Sequence, residues 1–340
     1  MGRYKFALVG IGFIGNKQLK LIEEREEAEV VALVESDHAK CLLLKETVSM
    51  PVYQNLDDLF SNHKDLDIVS ICTPNDTHVQ IVKDCLRKNV HVLCEKPLGL
   101  TSAECHVLLD LSKVTGKEVF CVMQNRYSPP SALLKGIVKN GILGKILRVH
   151  VNCFWNRDER YYLPNGKKHS WKGSVERDGG PLYTQFSHFI DLMIWLFGDI
   201  ELVHAQFANH NHQEITEFED SGFFSFDIKK GGEGLFHYTT AVWEKNMESS
   251  IAIIGEHGSI KVSGQYMNKI SYCHIDGYEL PNIAETNGPN DYGVFKGSAA
   301  NHSYVIDNVI ETLNGNDRPD TTLAEGIQVV EFIERVYSLR

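Results

Sequence analysis

Two polar motifs in the amino-terminal half directly follow apolar runs. The first motif, after VHVLC, supplies Glu95, Lys96 and Pro97; the second, after IVSIC, supplies Thr73, Pro74 and Asn75. A short apolar run bounded by glycine and proline is typical of a strand buried on both faces of a parallel sheet. The end of such a strand is where site chemistry tends to occur, so both motifs are candidate functional residues.

The segment KFALVGIGFIGNKQLKLIEE predicts a strand, a glycine-rich turn and a helix. Gly10 permits the tight turn, Gly12 lets a pyrophosphate approach the backbone, and Gly15 allows the helix to pack closely on the strand. The phosphates are expected at the amino terminus of the helix, beside Phe13 and Ile14. This arrangement predicts a dinucleotide-binding domain.

A second predicted strand, EVVALVES, places Glu35 twenty residues after Gly15. An acidic side chain at this position accepts hydrogen bonds from the adenosine ribose hydroxyls and repels a 2′-phosphate. Ser36 and Asp37 supply no cation that would bind such a phosphate. The sequence therefore predicts NAD rather than NADP as the cofactor.

Strands and helices alternate up to about residue 123. An amphipathic helix extends from His78 to about Lys88, another helix begins near Ser102, and a strand covers Val119 to Met123. This alternation predicts a doubly wound parallel sheet of the Rossmann type over residues 1–123. Both polar motifs are then expected at the carboxyl edge of the sheet, where such sheets bind ligands.

Composition and charge narrow the class of partner. The 340 residues carry 34 basic and 45 acidic side chains, a net charge of −11, which disfavours nucleic acids and anionic membranes. The chain contains no apolar stretch of the roughly 20 residues that a membrane span requires, and no signal-peptide pattern, so we expect a cytoplasmic protein. Its eight cysteines form no close pair and are expected to be buried reduced thiols.

The second half, residues 124–340, has a different pattern. Strand-like segments separated by glycine and asparagine turns predict an α+β domain with one large, mainly antiparallel sheet. A helix from about Thr184 to Phe197 places His188, Asp191 and Trp195 on roughly one face. His204, His210 and His212 lack a completing carboxylate or cysteine, so we expect a surface turn and no metal site.

The segment NRDERYYLPNGKKHSWKG, residues 156–173, is basic within an acidic protein. Aromatic side chains lie among its cations, so it offers flat apolar faces and positive charges to an anionic ligand such as a nucleotide sugar or a uronate. A solvated surface loop is the alternative. The candidate ligand-binding residues here are Arg157, Lys168, Trp171 and Lys172.

Five motifs together make the chain resemble the glucose–fructose oxidoreductase / inositol dehydrogenase / MocA family over nearly its whole length. They are GIGFIG, ICTPNDTH, CEKPLGLT, QNRYSP and GGPLYTQFSHFIDLMIWLFG. The resemblance implies that Lys96 and His188 flank the nicotinamide and the carbon being oxidised, and that the Lys96–Pro97 peptide is cis. It also implies an open sheet with one face free for subunit contact, and so a homodimer or homotetramer.

The resemblance extends the set of candidate binding residues. The cofactor would be bound by Gly10, Gly12, Phe13, Ile14, Gly15, Glu35, Thr73, Pro74, Asn75, His78, Glu95, Lys96 and Pro97. The substrate would be bound by Arg126, Tyr127, Arg157, Lys168, Trp171, Lys172, Thr184 and His188. One position departs from the family pattern, because Thr184 stands where an Asp or Asn is common four residues before the histidine. A threonine cannot act as a carboxylate base, so proton abstraction falls to Lys96 or His188.

The function expected from these features is reversible NAD-dependent oxidation of a secondary hydroxyl of a sugar. Within the family, the basic aromatic loop and SWKG are most similar to the UDP-N-acetylglucosaminuronate 3-dehydrogenases of surface-polysaccharide biosynthesis. An inositol or unactivated-sugar dehydrogenase is the first alternative. A non-catalytic NAD-binding regulator is the second, since the family also includes repressors that keep the fold.

Overall fold

The computed structural model describes residues 2–340 as two compact units. The first unit comprises the chain up to Val122 together with His302–Val330, and the second comprises Met123–Asn301 together with Glu331–Arg340. The sequence predicted a single domain boundary near residue 124, which would place the helix His302–Leu313 in the second domain. In the structure this helix belongs to the first unit.

Fifteen strands are formed by the described residues. They are β1 Tyr4–Val9, β2 Ala28–Val34, β3 Val52–Tyr53, β4 Ile68–Ile71, β5 His91–Cys94, β6 Val119–Cys121, β7 Ile146–Phe154, β8 Ile200–Ala208, β9 Ser221–Ile228, β10 Glu233–Thr239, β11 Glu248–Gly255, β12 Gly258–Ser263, β13 Lys269–Ile275, β14 Pro289–Asp291 and β15 Lys296–Ala299.

Eleven α-helices accompany the strands in the same part of the chain. They are α1 Phe13–Glu23, α2 His38–Thr47, α3 Leu56–Asn62, α4 His78–Arg87, α5 Ser102–Thr115, α6 Pro129–Lys139, α7 Glu159–Tyr162, α8 Pro181–Thr184, α9 Ser187–Phe197, α10 His302–Leu313 and α11 Leu323–Tyr337. None of these helices is long and apolar enough to cross a membrane.

The first unit is built on a six-stranded sheet in the order β3-β2-β1-β4-β5-β6, with every pair parallel. This is the strand order of a Rossmann fold. The interior strands β4 and β5 are almost wholly buried because helices cover both faces of a parallel sheet. The predicted doubly wound sheet is confirmed, and the EKP and TPN motifs follow its two neighbouring strands β5 and β4.

The second unit contains a seven-stranded sheet in the order β13-β12-β11-β7-β10-β9-β8. Its pairs are antiparallel except β7 with β10, which run parallel. Along β7, Val149, Val151 and Cys153 are buried while the residues between them are half-buried, so one face of the sheet carries the core. The predicted mainly antiparallel sheet is confirmed.

Candidate active site

The glycine turn between β1 and α1 is shaped to admit a phosphate. Gly10 has a φ of +86°, and a Cβ atom there would lie 2.8 Å from the carbonyl oxygen of Cys72, so only glycine fits. A Cβ at Gly15 would collide with the carbonyl oxygen of Gly10. A Cβ at Gly12 would meet no atom within 4 Å, and no side chain caps the amino terminus of α1. The amino terminus of α1 therefore has room beside Gly12 and no side-chain cap, which suits a bound pyrophosphate.

Glu35 directly follows β2 and has a defined orientation. Its two carboxylate oxygens accept hydrogen bonds from the backbone N–H groups of Ile11, at 3.2 Å, and Asp37, at 3.0 Å. The side chain is 7% exposed. The carboxylate is thus held beside the glycine turn, as an adenosine ribose would require, so these residues fit a bound NAD.

The TPN motif after β4 is tied to the EKP motif after β5 by a single imidazole. His78, the first residue of α4, places Nδ1 2.7 Å from the carbonyl oxygen of Pro97 and Nε2 2.9 Å from that of Thr73. Burial lowers the pKa of His78, and the two carbonyls oppose that effect. A neutral imidazole has one N–H, so His78 lies between the two candidate cofactor-binding loops and donates to the carbonyl of one of them. Pro74 precedes the short helical turn that Asn75 begins, and Asn75 is buried.

Lys96 is partly exposed, whereas the residues from Val92 to Glu95 and from Pro97 to Gly99 are buried. The Lys96–Pro97 peptide is cis, as the resemblance implies. The EKP motif therefore presents one side chain, the lysine, at the surface of the first unit.

Glu95 belongs to a buried polar network that the sequence did not predict. Its Oε1 atom accepts a hydrogen bond from Gln18 Nε2 at 2.6 Å, and Gln18 Oε1 in turn accepts one from Ser70 at 2.5 Å. The Nε2 atom of His302 lies 3.5 Å from the same Glu95 oxygen. Burial raises the pKa of Glu95, but the contacts with His302, Lys96 and Gln18 outweigh it and hold that pKa below its usual value. Glu95 is therefore a buried charge beside Lys96.

In the second unit, His188 lies in the first turn of α9 and is 3% exposed. Three residues later, Asp191 accepts two hydrogen bonds from Arg126, at 2.6 and 2.9 Å, and both side chains are buried. Lys135 donates to the carbonyl oxygen of Trp195 at the far end of the same helix. Arg126, predicted as a substrate-binding residue, is thus engaged in holding α9, while Tyr127 next to it is partly exposed.

Thr184, at the end of α8, donates a hydrogen bond from its hydroxyl to the carboxylate of Asp178. Asp178 is completely buried and also accepts the backbone N–H of Gly173 at 2.8 Å. Sequence reasoning missed Asp178, which directly precedes the GGPLYT stretch in the sequence.

The cations of the basic aromatic segment, residues 156–173, differ in their exposure to solvent. Arg157 is 3% exposed, and its guanidinium donates to the backbone carbonyls of Asn156 and Lys296 and lies 4.8 Å from the ring of Trp155. The guanidinium of Arg157 is therefore occupied by contacts within the protein. Lys168 is exposed, in contrast.

Lys172 Nζ lies 4.0 Å from the ring centre of Tyr161 and 5.9 Å from that of Trp171. Burial lowers the pKa of Lys172 to about 8, with a further lowering from Arg157 and an opposing effect of Asp178. Lys172 and Trp171 are both partly exposed, so a ligand can reach a cation and an aromatic face together.

The three histidines 204, 210 and 212 differ from the expected surface turn. His204 is exposed but lies within β8, and His210 is exposed after it. His212 is 1% exposed and lies 3.5 Å from the buried carboxylate of Asp220. The expectation was wrong for His212 because the loop folds inward over Tyr162, whose ring centre is 5.8 Å away. Among residues 2–340, no group of three potential ligands could hold a metal ion.

The structure resembles two solved dehydrogenases over nearly the whole chain. WlbA from Chromobacterium violaceum, solved with NADH and UDP-GlcNAcA, is 30% identical with a TM-score of 0.87, covering 100% of this chain and 94% of that one. WlbA from Bordetella pertussis, in complex with the same two ligands, is 27% identical with a TM-score of 0.87, covering 99% and 96%.

Among curated proteins, inositol 2-dehydrogenase from Salmonella paratyphi B is 29% identical over 200 residues. That match covers 57% of this chain and spans 55% of the relative's own length.

Two family descriptions match consecutive parts of the chain. Residues 4–122 match the oxidoreductase family with an NAD-binding Rossmann fold, and residues 132–261 match the C-terminal domain of the same family. The resemblance predicted from the motifs is therefore confirmed, and the first unit is an NAD-binding Rossmann unit. The chain belongs to the GFO/IDH/MocA oxidoreductase family.

Proposed function

We propose that the protein uses NAD to oxidise a secondary hydroxyl of a nucleotide sugar. The proposed substrate is UDP-N-acetylglucosaminuronate, and the group oxidised is its 3-hydroxyl. The observation that carries this proposal is the similarity to two WlbA dehydrogenases that bind NADH and UDP-GlcNAcA, over at least 94% of each chain. The basic aromatic segment supports it, since Lys168 and Lys172 are cations suited to an anionic sugar in a protein of net charge −11.

Each group in the proposed reaction has a role that its surroundings support. When bound, NAD supplies the nicotinamide that takes up hydride from the carbon. Lys96 Nζ or a ring nitrogen of His188 removes the hydroxyl proton, and the sequence leaves the choice between them open. Lys172 and Trp171 hold the ligand, with the aromatic ring giving a flat face and the ammonium a charge. Thr184 contacts a sugar hydroxyl.

A second candidate is oxidation of inositol or an unactivated sugar, which the similarity to inositol 2-dehydrogenase favours. A neutral polyol would make no use of the cations at 168 and 172. Changing Lys168 and Lys172 to Gln should therefore raise KM for UDP-N-acetylglucosaminuronate and leave KM for inositol unchanged.

The direct test is NADH absorbance at 340 nm with UDP-N-acetylglucosaminuronate, UDP-N-acetylglucosamine, glucuronate, glucose and inositol. Turnover should be fastest with the first compound. Turnover confined to inositol or glucose would reject the nucleotide sugar in favour of the second candidate. NAD binding by calorimetry without turnover on any of the five would instead support a non-catalytic regulator.

A further inference from the structure

Glu95 is a buried carboxylate at the edge of the sheet where the cofactor is expected. It directly follows β5 and is 8% exposed, while its neighbours Gln18 and His302 are 1% and 2% exposed. Gln18 Nε2 donates to Glu95 Oε1 at 2.6 Å, and His302 Nε2 lies 3.5 Å from the same oxygen. Little solvent screens this charge, so it acts over a longer distance than the charge of a surface carboxylate would.

The order of the strands indicates which half of NAD lies near Glu95. The order reverses between β1 and β4, where a Rossmann sheet binds its dinucleotide. The glycine turn follows β1 and Glu35 follows β2, so the pyrophosphate and the adenosine ribose are assigned to that side of the reversal. The other half of the dinucleotide then extends towards the ends of β4 and β5, which the TPN and EKP motifs follow. Glu95 therefore belongs to the nicotinamide side of the sheet.

The charge of Glu95 acts on groups from several elements at this edge. Burial lowers the pKa of Lys17 on α1, and Glu95 opposes that effect. Burial raises the pKa of Cys72, directly after β4, and Glu95 raises it further. Burial also lowers the pKa of His78 at the start of α4, while two backbone carbonyls and Glu95 oppose the lowering. The field of this carboxylate thus extends beyond its own strand.

The two redox states of the cofactor differ by one charge at the nicotinamide ring. The oxidised ring is a cationic pyridinium, and the reduced ring is neutral. Protonated amines at Lys17 and Lys96 disfavour the cationic ring, and a carboxylate between these residues in the fold has the opposite effect. A unit charge about 10 Å away, at an effective dielectric constant of about 20, changes a binding equilibrium on the order of 10-fold.

We propose that Glu95 is a specificity-determining residue for the redox state of the cofactor, because its charge stabilises the cationic oxidised nicotinamide relative to the neutral reduced one. The inference depends on NAD binding alone and holds whichever sugar the protein oxidises. It gives the buried acid a role besides stability, since a lysine and a cationic ring can then share one edge of the sheet. It also favours release of NADH after the hydride has been transferred.

Calorimetry with NAD and with NADH at pH 7 tests the inference. The readout is the ratio of the Kd for NAD to the Kd for NADH. Glu95→Gln keeps the shape of the side chain and an acceptor for Gln18 but removes the charge, so the ratio should rise roughly 10-fold, chiefly through weaker binding of NAD. Glu95→Asp keeps the charge, so the ratio should stay within about 3-fold of the wild-type value even if both Kd values rise.

Asp67→Asn is the matched control for the loss of a carboxylate. Asp67 is half-buried and directly precedes β4, at the opposite edge of the same sheet, where it accepts the backbone N–H of Lys5 at 2.8 Å. The variant should leave the ratio unchanged. ADP-ribose, which carries no nicotinamide, should bind wild type and Glu95→Gln equally.

Three outcomes overturn the inference. Equal weakening of NAD, NADH and ADP-ribose in Glu95→Gln, or an unchanged ratio, would show that the charge does not distinguish the redox states. A roughly 10-fold rise of the ratio in Glu95→Asp would show that geometry sets it, since the charge is retained. His302→Gln leaves the carboxylate in place, so a rise of the ratio there would exclude Glu95 as its source. The last two variants decide the matter if Glu95→Gln does not fold.

Discussion

Glu95 Oε1 accepts a hydrogen bond from Gln18 Nε2 at 2.6 Å, which joins the EKP motif to the helix that follows the glycine turn. Gln18 is 1% exposed and lies on α1, three residues after Gly15. A shift of α1 at the glycine turn would therefore also move Gln18, the hydrogen-bond donor to Glu95, which directly precedes Lys96. The cofactor turn and the candidate catalytic lysine are mechanically linked within one unit.

The first prediction concerns the stability that this network contributes. Because the pKa of Glu95 is lowered in the folded protein, its stabilising effect is fully present above its usual pKa of 4.5 and is lost as the pH falls through the lower folded value. Glu95→Gln should lower the free energy of unfolding by about 1–3 kcal/mol at pH 7 and by less near pH 3.5. Urea midpoints at both pH values measure this.

His302→Ala should destabilise the protein by a similar amount, about 1–3 kcal/mol at pH 7, because it leaves a buried charge short of a partner. Arg148→Ala is the control, since Arg148 pairs with Glu233 on the surface and both side chains are more than half exposed. An exposed pair contributes little. Equal losses in the two variants would contradict the role assigned to His302.

Cofactor selectivity should depend on Glu35. Glu35→Ala should weaken NAD binding by roughly 10- to 100-fold, because the charged hydrogen bonds to the ribose are lost. It should also reduce the preference for NAD over NADP. Calorimetry with both cofactors measures the two effects. Asp76→Ala, which changes an exposed acid in the TPN loop region, is the comparison. Wild type that binds NADP as tightly as NAD would show that the interpretation of Glu35 is wrong.

Loss of either candidate proton-transfer group should reduce turnover far more than stability. Lys96→Ala and His188→Ala should each lower kcat by roughly 10²- to 10⁴-fold while retaining most NAD affinity. Turnover, NAD Kd and Tm are measured for both, with the exposed Lys113→Ala and His210→Ala as matched controls. Full activity in either variant would remove that residue from the mechanism. A lower Tm with unchanged turnover of the folded fraction would make it structural.

Assembly is the remaining prediction. Phe223, Leu235 and His237 are half-buried residues that alternate with buried ones on β9 and β10, and the ring centres of Phe223 and His237 are 5.7 Å apart. A partly apolar sheet face of this kind favours burial against a second copy, so we expect a homodimer or homotetramer. Light scattering of wild type at micromolar concentration tests this, and a monomer would contradict it.

A charge placed on that face should weaken the assembly. Leu235→Glu should shift the mass towards the monomer, because an unpaired carboxylate would be buried at the contact. Val114→Glu, on the exposed side of α5, should leave the mass unchanged. An unchanged mass for Leu235→Glu would exclude this face as the contact.

The NAD-binding unit was predictable because its signals are local. Gly10, Gly12 and Gly15 lie at the junction of a strand and a helix, and Glu35 directly follows the next strand, so each can be identified within a short stretch of chain. The parallel sheet followed from short, mostly apolar runs such as VHVLC and IVSIC. Cys94 illustrates this: it ends β5 as a buried thiol, and burial raises its pKa well above the usual value.

Polar contacts between residues far apart in the sequence were not predictable. His302 lies 207 positions after Glu95, and no pattern near either residue indicates the other. Arg157 appeared to be a free cation in a basic segment, but the carbonyl of Lys296, 139 residues later, accepts from its guanidinium. Charge alone in a sequence does not distinguish a ligand-binding arginine from a packed one.

The return of α10 to the first unit has a consequence for synthesis on the ribosome. The first unit lacks residues 302–330 until nearly the whole chain has been made, and these residues include the histidine beside Glu95 and Thr321, whose carbonyl accepts the backbone N–H of Cys121. The nascent NAD-binding unit therefore remains incomplete while the second unit is synthesised. A premature stop late in the gene would remove part of the cofactor unit that is encoded first.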